Sequence, residues 1–364
     1  MKITLVAGAR PNFIKIAPII KAIKQAQSKN INIQYRLVHT GQHYDKAMSD
    51  TFFEELNIPL PDVNLNCVSG TQAEQTASIM VAFEKELIKN PSDLVLVVGD
   101  VTSTMACAIV AKKLNIKVAH VEAGIRSFDL TMPEEINRMV TDSITDYFFT
   151  TSEFANTILR QQGVKESQLF YVGNVMIDTL FGNLHRLKKP PFFDSLKLKE
   201  NQYFVLTLHR PANVDHPEQL KLFLEAIVNH VCDLPVIFPV HPRTAKVLES
   251  LNLQAKNLFT TPPLGYLEFM YLVKHAKCVI TDSGGITEET TCLGVPCMTL
   301  RDSTERPETC TIGTNELLGT NPAAIKPALE KLFHNDWKKG ATPCLWDGHT
   351  AERIINVISE LYAC

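Results

Sequence analysis

The 364-residue chain reads as an α/β protein of two doubly wound, Rossmann-like domains whose parallel sheets face across a deep cleft. Three observations predict this. Short runs that are apolar on both faces alternate with stretches of helical period, the pattern of buried parallel strands covered by helices. The alternation breaks at about 172–200, around the basic, proline-containing LKKPPFFDSLKLKEN, and then restarts. The chain is also longer than a single hydrophobic core usually grows.

The elements follow in order. KITLVAG (2–8) leads into a helix from about Phe13 to Gln27, and IQYRLVHTG (33–41) precedes a helix near 45–56. A long amphipathic stretch runs from about Thr71 to Lys89. DLVLVVGD (93–100) enters a helix over 103–114, VAHVEAG (118–124) comes before a helix starting at Pro133, and YFFTTS (147–152) introduces another. After the break come YFVLTLH (203–209), a helix near 217–231, PVIFPVH (235–241), CVITDSGG (278–285) with a helix from about Ile286, and the strand PCMTL. AERIINVISELYA (351–363) is a closing helix. Right-handed crossovers follow by default.

Composition removes several function classes. Apolar residues make up 45% and charged residues 21%, and the net charge is −3 with both signs scattered. That gives no electrostatic case for nucleic acid or an anionic membrane as partner. MKITLVAGARPNFIKIAP has a charge and an apolar run, but the run is only about six residues long and Lys15 interrupts the next, unlike a secretory signal. No stretch approaches the roughly 18–20 apolar residues of a membrane span. The nine cysteines include no CxxC pair, which favours buried reduced thiols over a disulfide framework or a metal site, and a cytoplasmic location.

Ligands of open α/β sheets bind beyond the carboxyl ends of the strands, so the chemistry is sought there. After the first strand, Gly8-Ala9-Arg10-Pro11-Asn12-Phe13-Ile14-Lys15 combines a tight turn, two cations and a helix N-terminus, suited to a phosphate or carboxylate. A capped helix start with exposed basic residues would look the same. The loop fits neither G-x-G-x-x-G nor G-x-x-x-x-G-K-[ST], so neither a dinucleotide redox cofactor nor a P-loop is supported. Thr281-Asp282-Ser283-Gly284-Gly285-Ile286-Thr287-Glu288-Glu289 is the stronger case: Ser283 and the N–H groups beside Gly284 and Gly285 can hold a diphosphate on the helix dipole, and Glu289 can accept from sugar hydroxyls. Paired glycines also mark many ordinary turns.

Other strand ends are polar: Asp100, Glu122, His209-Arg210 and His241. Each alone suits a cap or a satisfied histidine, but together they read as a site. In LRDSTERPETCTIGTN (300–315), Arg301 and Arg306 can face an anion, with Glu305 or Glu308 orienting them; a charged surface loop is the alternative. HVEAGIRSFDLTMPEEINR (120–138) holds four carboxylates. Glu122 ends a strand, while Glu134 follows Pro133 in a first helical turn, where the dipole favours its ionised form. Glu135, Asn137 and Arg138 cap, brace or pair, and Asp129 is expected to be exposed.

GARPNFIK, GQHY, VVGD, HVEAGIRS, MPEEINR, LTLHR, PVHPR, PLGYLEF, TDSGGITEE and LRDSTERPET occur in the order and approximate spacing of the non-hydrolysing UDP-N-acetylglucosamine 2-epimerases. This resemblance covers the chain from residue 2 to about 362. It implies a GT-B-like fold, with 1–172 forming one domain, 173–349 a UDP-binding domain, and 350–364 a helix packing back on the first. It implies C2 epimerisation of UDP-N-acetylglucosamine to UDP-N-acetylmannosamine by anti elimination of UDP to 2-acetamidoglucal and re-addition. No cofactor and no metal are required, and the product would supply surface polysaccharide synthesis. By the same resemblance Arg10 and Lys15 lie at the nucleotide-sugar site, and Ser283, Gly284 and Gly285 hold the diphosphate. Glu289 takes the ribose, Phe269 lies near uracil, and His209 sits by the leaving diphosphate. Asp100, Glu122 and Glu134 match the acid/base carboxylates, Arg301 belongs to a matching motif, and a homodimer is the inherited expectation.

The chain departs from the pattern at a second, activating substrate site: Gln42, His43 and His241 match parts of it, whereas Asp45, Gly70 and Ala212 do not. Two other activities fit much of the pattern, epimerisation of a related UDP-2-acetamido sugar such as a 2,3-diacetamido uronic acid, and transfer by a GT-B UDP-sugar glycosyltransferase. The carboxylate set and ERPET argue against the latter.

Overall fold

The computed structural model describes residues 1–41, 53, 55–67, 70–240, 242–251, 253 and 255–363, without the side chains of Arg10, Pro211, Ala212, Pro242 and Arg243. The expected helix near 45–56 lies largely outside these residues. Contacts divide the chain into two units, Met1–Gly182 with Cys344–Cys364, and Asn183–Pro343.

In the first unit the elements are β1 (Lys2–Ala7), α1 (Arg10–Ser28), β2 (Gln34–His39), β3 (Val63–Asn64), α2 (Gln72–Lys89), β4 (Leu94–Val98) and α3 (Thr102–Lys113). There follow β5 (Lys117–Val121), α4 (Pro133–Ile144), β6 (Tyr147–Thr150), α5 (Glu153–Gln161), β7 (Leu169–Tyr171) and α6 (Val175–Asn183). The strands form a seven-stranded sheet in the order β3-β2-β1-β4-β5-β6-β7, and its pairs are parallel. β4 is buried throughout, which is why DLVLVVGD shows no alternation: helices cover both of its faces. Sequence order reverses between β1 and β4, so the ends of these two strands flank the topological switch point.

The second unit contains α7 (Phe192–Ser195), β8 (Phe204–Thr207), α8 (Pro211–Val214), α9 (Pro217–Val228), β9 (Val236–Pro239), α10 (Pro242–Ser250), β10 (Leu258–Thr261) and α11 (Tyr266–His275). It continues with β11 (Cys278–Thr281), α12 (Gly284–Leu293), β12 (Cys297–Thr299), α13 (Pro307–Thr311), β13 (Asn315–Leu317) and α14 (Ile325–Phe333). Its six-stranded sheet runs β10-β9-β8-β11-β12-β13, again in parallel pairs. The switch point here lies between β8 and β11. Phe204, Leu206, Phe223, Phe238, Ile280 and Met298 form the centre of its core.

The closing helix α15 (Thr350–Leu361) buries Ile354, Ile355 and Ile358 within the first unit. Asp178 of α6 accepts the Thr350 and Ala351 N–H groups at 3.1 and 2.7 Å, which caps α15, and Trp346 donates its indole N–H to Thr151 O at 2.9 Å. Gly173 has φ +100°, and a Cβ there would lie 2.1 Å from Leu345 O, so only glycine admits this close chain crossing. The sequence break expected at 172 therefore precedes the structural one after Gly182, because α6 stays tied to the first unit: Thr179 Oγ1 also donates to Ile14 O at 2.6 Å. The short strands β3, β7, β10 and β13, and helices α11 and α14, were not anticipated. Two to four residues per strand carry no legible period.

Among the described residues no helix is long and apolar enough to cross a membrane. The described cysteines are free, and Cys232 and Cys344 are exposed rather than buried as expected.

Candidate active site

The residues singled out in the sequence fall into two clusters, one in each unit, each at or beside its sheet's switch point. In the first unit, β1 gives way to α1 through Gly8 and Ala9. Asn12 Oδ1 accepts the N–H groups of both, at 3.0 Å each, and its amide donates to Val98 O at 3.0 Å. Asn12 therefore satisfies donors that the sequence alone had offered to an anion, and Pro11 has none to give. Lys15, a turn further on, reaches the end of β5: its Nζ donates to Glu122 Oε2 at 2.8 Å. Their side chains are 12% and 2% exposed, so the pair is largely sheltered from solvent screening. Gly99, with φ +64°, leaves room for that ammonium; a Cβ there would lie 2.9 Å from Lys15 Nζ.

Glu122 is itself in the left-handed region, φ +71°, which costs a non-glycine residue about 1–3 kcal/mol. Its surroundings impose the turn. The N–H groups of Glu122 and Ala123 both donate to Phe149 O. Asp142 on α4 lies at Nδ1 of His120 (2.7 Å) and Nη1 of Arg126 (2.7 Å) and accepts the Gly124 N–H at 3.0 Å. Nε2 of His120 bonds Gly99 O at 2.8 Å. Burial raises the Asp142 carboxyl, but the His120 and Arg126 charges and hydrogen bonds outweigh it and hold it below the ordinary range. One buried carboxylate thus binds the β4 and β5 ends to α4.

Asp100 follows Gly99. Arg138 Nε and Nη2 donate to its Oδ2 at 2.9 and 2.6 Å, and the Asn137 amide donates to its carbonyl at 2.8 Å. Arg138 Nη1 turns to Glu135 Oε2 at 2.7 Å, and Glu135 also accepts the Ser127 and Phe128 N–H groups. Glu135, Asn137 and Arg138 thus brace the site, as their positions suggested. Asp129 is half-buried, not exposed, because its Oδ1 accepts from Thr131 N and Oγ1. Glu134, second residue of α4 and half-buried, accepts no hydrogen bond among the described residues. The three candidate carboxylates differ in company: Asp100 has a guanidinium, Glu122 an ammonium, and Glu134 neither.

In the second unit His209 follows β8 and Asp282 follows β11. Asp282 is fully buried; its Oδ1 lies 2.9 Å from His209 Nδ1. It also accepts the backbone N–H groups of His209 and Arg210 and the Asn213 amide at 3.0 Å. Ser283 caps the N-terminus of α12, and Gly284 and Gly285 are its first two residues, half-buried like Ser283. Ser283 N–H donates to Thr281 Oγ1 at 2.9 Å, and the Ser283 hydroxyl makes no capping bond. Arg301 faces Glu305 in a two-pronged pair, 2.6 and 3.3 Å. A Cβ on Gly284 would lie 2.5 Å from Glu305 Oε1 and 3.5 Å from Arg301 Nη1, so this pair covers the glycine end of α12. Of the alternatives left open, Glu305 is the partner of Arg301. Arg306 instead pairs with buried Glu288.

Glu289 is 2% exposed and accepts from Tyr266 Oη at 2.9 Å, deeper than a helix-entry position suggests. Phe269 is half-buried on α11, beyond Tyr266. Burial, with the Glu288 charge, pushes Glu289 up to about 8 despite the Tyr266 hydroxyl. Its folded value lies above the unfolded one, so its stabilising contribution is full below the ordinary glutamate range and is lost as pH rises toward 8. Unfolding by urea should therefore show stability falling from about pH 5 to 8, with a shallower fall in Glu289→Gln. Equal slopes would remove Glu289 as the source. Glu308, pushed to about 7 by burial against the opposing charge of Arg306, keeps part of the slope in the variant.

Asp282, Asp142 and Tyr266 were not singled out. Asp282 stands inside the quoted TDSGG, and a buried acid at a strand end was the available signal. Gln42, His43, Asp45 and His241 lie outside the described residues, as do the Arg10 and Ala212 side chains.

The chain is similar to known proteins over nearly its whole length. A family profile described as UDP-N-acetylglucosamine 2-epimerase matches residues 24–359. The UDP-N-acetylglucosamine 2-epimerase of Methanocaldococcus jannaschii is 43% identical over 372 residues, 99% of each chain. The UDP-2,3-diacetamido-2,3-dideoxy-D-glucuronate 2-epimerase of Pseudomonas aeruginosa is 40% identical over 369 residues, 99% of this chain and 100% of that one. A crystal structure of the Methanocaldococcus jannaschii UDP-GlcNAc 2-epimerase in complex with UDP-GlcNAc and UDP superposes with TM-score 0.89 at 43% identity, covering 99% of this chain and 100% of that chain. Two parallel-sheet units of GT-B-like fold, acidic groups at the strand ends of one and a glycine-opened helix in the other, agree with these likenesses: the chain is an epimerase of the UDP-N-acetylglucosamine 2-epimerase family.

Proposed function

We propose that the chain interconverts UDP-N-acetylglucosamine and UDP-N-acetylmannosamine by anti elimination of UDP to 2-acetamidoglucal and re-addition, in the cytoplasm and as a homodimer, supplying N-acetylmannosamine-type sugars for surface polysaccharide. The observation that carries this reading is the set Asp100, Glu122 and Glu134, three carboxylates in three different electrostatic settings, after β4, after β5 and in the first turn of α4 of one unit. Inverting C2 needs a base that removes the proton on one face and an acid that returns one on the other. Carboxylates from different loops can serve opposite faces.

General acid–base catalysis contributes typically about 10²–10⁴-fold, roughly 3–5 kcal/mol. Enzymes lower barriers by roughly 8–23 kcal/mol, so stabilising the departing UDP must supply much of the remainder. In this reading Ser283, Gly284 and Gly285 hold the diphosphate at the start of α12, while His209 and Arg301 meet its charge, and Arg10 serves the nucleotide sugar. Arg301 then exchanges Glu305 for phosphate oxygens. Lys15 holds the Glu122 carboxylate in place, Phe269 lies near uracil, and Glu289 takes the ribose, with the carboxyl becoming a hydrogen-bond partner of its hydroxyls.

The 40% identity to the diacetamido-glucuronate epimerase favours one second reading, the same chemistry on a 2,3-diacetamido uronic acid. Incubation in D₂O with each UDP-sugar, followed by NMR, separates them. Deuterium at C2 and a mixture of both UDP-hexosamines, without added NAD, is the expected result with UDP-N-acetylglucosamine. Exchange only with the uronic acid would establish the second reading. Free sugar as main product would mean hydrolysis, and no exchange in either would end the epimerase assignment for these substrates.

A further inference from the structure

We propose that Asp282 is a positioning residue for His209: its buried carboxylate holds the imidazole by Nδ1–H, so that Nε2 is the ring atom presented to the leaving diphosphate. The inference rests on the role given to His209 above.

The geometry is asymmetric in an informative way. Asp282 is 0% exposed, while the His209 side chain is 62% exposed. The ring is therefore anchored from below at one nitrogen and open to solvent elsewhere, and among the described residues it has no other hydrogen-bond partner. Without that anchor so exposed a side chain would spread over its rotamers, and reacting groups displaced by about 1 Å can lose 10²-fold in rate. Burial raises the Asp282 carboxyl, but the hydrogen bond and charge of His209, the Arg210 N–H and the Asn213 amide outweigh it and hold it below the ordinary range. An ionised carboxylate can only accept, so Nδ1 must carry the hydrogen. Which nitrogen of a histidine is left to act is set by the bond the other makes.

The ring contacts Asp282, which is itself held by the Arg210 guanidinium, whose Nε donates to Asp282 O at 3.1 Å, and by the neutral Asn213 amide. Asp282 also immediately precedes Ser283-Gly284-Gly285. The residue that anchors the imidazole is thus next in the chain to the start of α12. When C1–O breaks, its electron pair leaves with UDP and the C2 proton goes to a carboxylate base. With both ring nitrogens carrying hydrogen, His209 would donate a charge-assisted N–H···O hydrogen bond from Nε2, and no proton leaves it in this step.

Two measurements test this. Long-range ¹H–¹⁵N spectra of histidine-labelled full-length protein, with His209 assigned from a His209→Ala sample, should show a protonated Nδ1 in the absence of nucleotide. An Nδ1 without its proton would overturn the proposal, and this measurement needs no variant at position 282 to fold. The second is a double-mutant cycle on C2 exchange: Asp282→Asn should lower the rate by about 10²-fold or more in the wild-type background and by under about 3-fold in His209→Ala. An equal loss in both backgrounds would mean that Asp282 does not act through His209. Absence of exchange in the wild-type protein would count against the epimerase reading instead, leaving the tautomer to decide on Asp282.

Discussion

Replacing Glu122 by glutamine is expected to lower C2 hydrogen exchange with UDP-N-acetylglucosamine by about 10²–10⁴-fold, while the protein stays folded and binds UDP. Three features single out this carboxylate. It occupies a left-handed backbone position, and such strain persists only where the surroundings over-determine it. Its side chain is 2% exposed, where electrostatic effects are larger than in water. Its partner is an ammonium, Lys15, whose Nζ donates to Oε2 at 2.8 Å and fixes the carboxylate in place. Glutamine keeps the volume and a hydrogen-bond acceptor for Lys15 but can neither take nor return a proton. Single-turnover exchange in D₂O, with UDP affinity measured by calorimetry, separates loss of chemistry from loss of binding. Exchange within 3-fold of wild type would remove Glu122 from the mechanism.

Arg138→Leu should be among the most destabilising substitutions in the first unit, by about 3–5 kcal/mol. The guanidinium is 3% exposed and joins Asp100 to Glu135. Its loss leaves Glu135, 1% exposed, buried without its cation. Breaking a buried pair costs more than the pair itself contributes, because a charge is stranded. At about 2–4 °C per kcal/mol for a unit of this size, the melting point should fall by roughly 6–20 °C. Arg138→Lys retains the charge but cannot reproduce the fork onto two carboxylates, so it should fall between the two. A melting point within 2 °C of wild type in Arg138→Leu would show that the pair is dispensable. Exchange should also decline, since Asp100 loses the two Arg138 donors.

How far the site was legible depended on what each residue needs. Asp100, Glu122, His209 and Ser283 could be picked out because each stands where an apolar run stops, and strand ends are where open sheets bind ligands. Their partners could not. Lys15 and Glu122 are 107 positions apart, Arg138 and Asp100 are 38 apart, and His209 and Asp282 are 73 apart. Such pairs exist only once the order of strands is known. Glu289 shows the same limit from the other side: its place in TDSGGITEE suggested an accessible helix entry, and the packing of Tyr266 against it put the carboxyl in the interior.

By itself the sequence determined the class of fold, because periodicity is local: a strand buried on both faces must be apolar throughout, and a helix covering it must repeat its apolar residues every three or four positions. It also determined where the polar strand ends fall along the chain. Only the tertiary structure decided the order of strands, and therefore that β1 and β5, on either side of β4 in one sheet, and β8 and β11 in the other, bring lysine to glutamate and aspartate to histidine. It also decided the charge state of buried groups such as Asp142, Asp282 and Glu289, since desolvation and the nearest opposite charge, neither of them visible along the chain, set that balance.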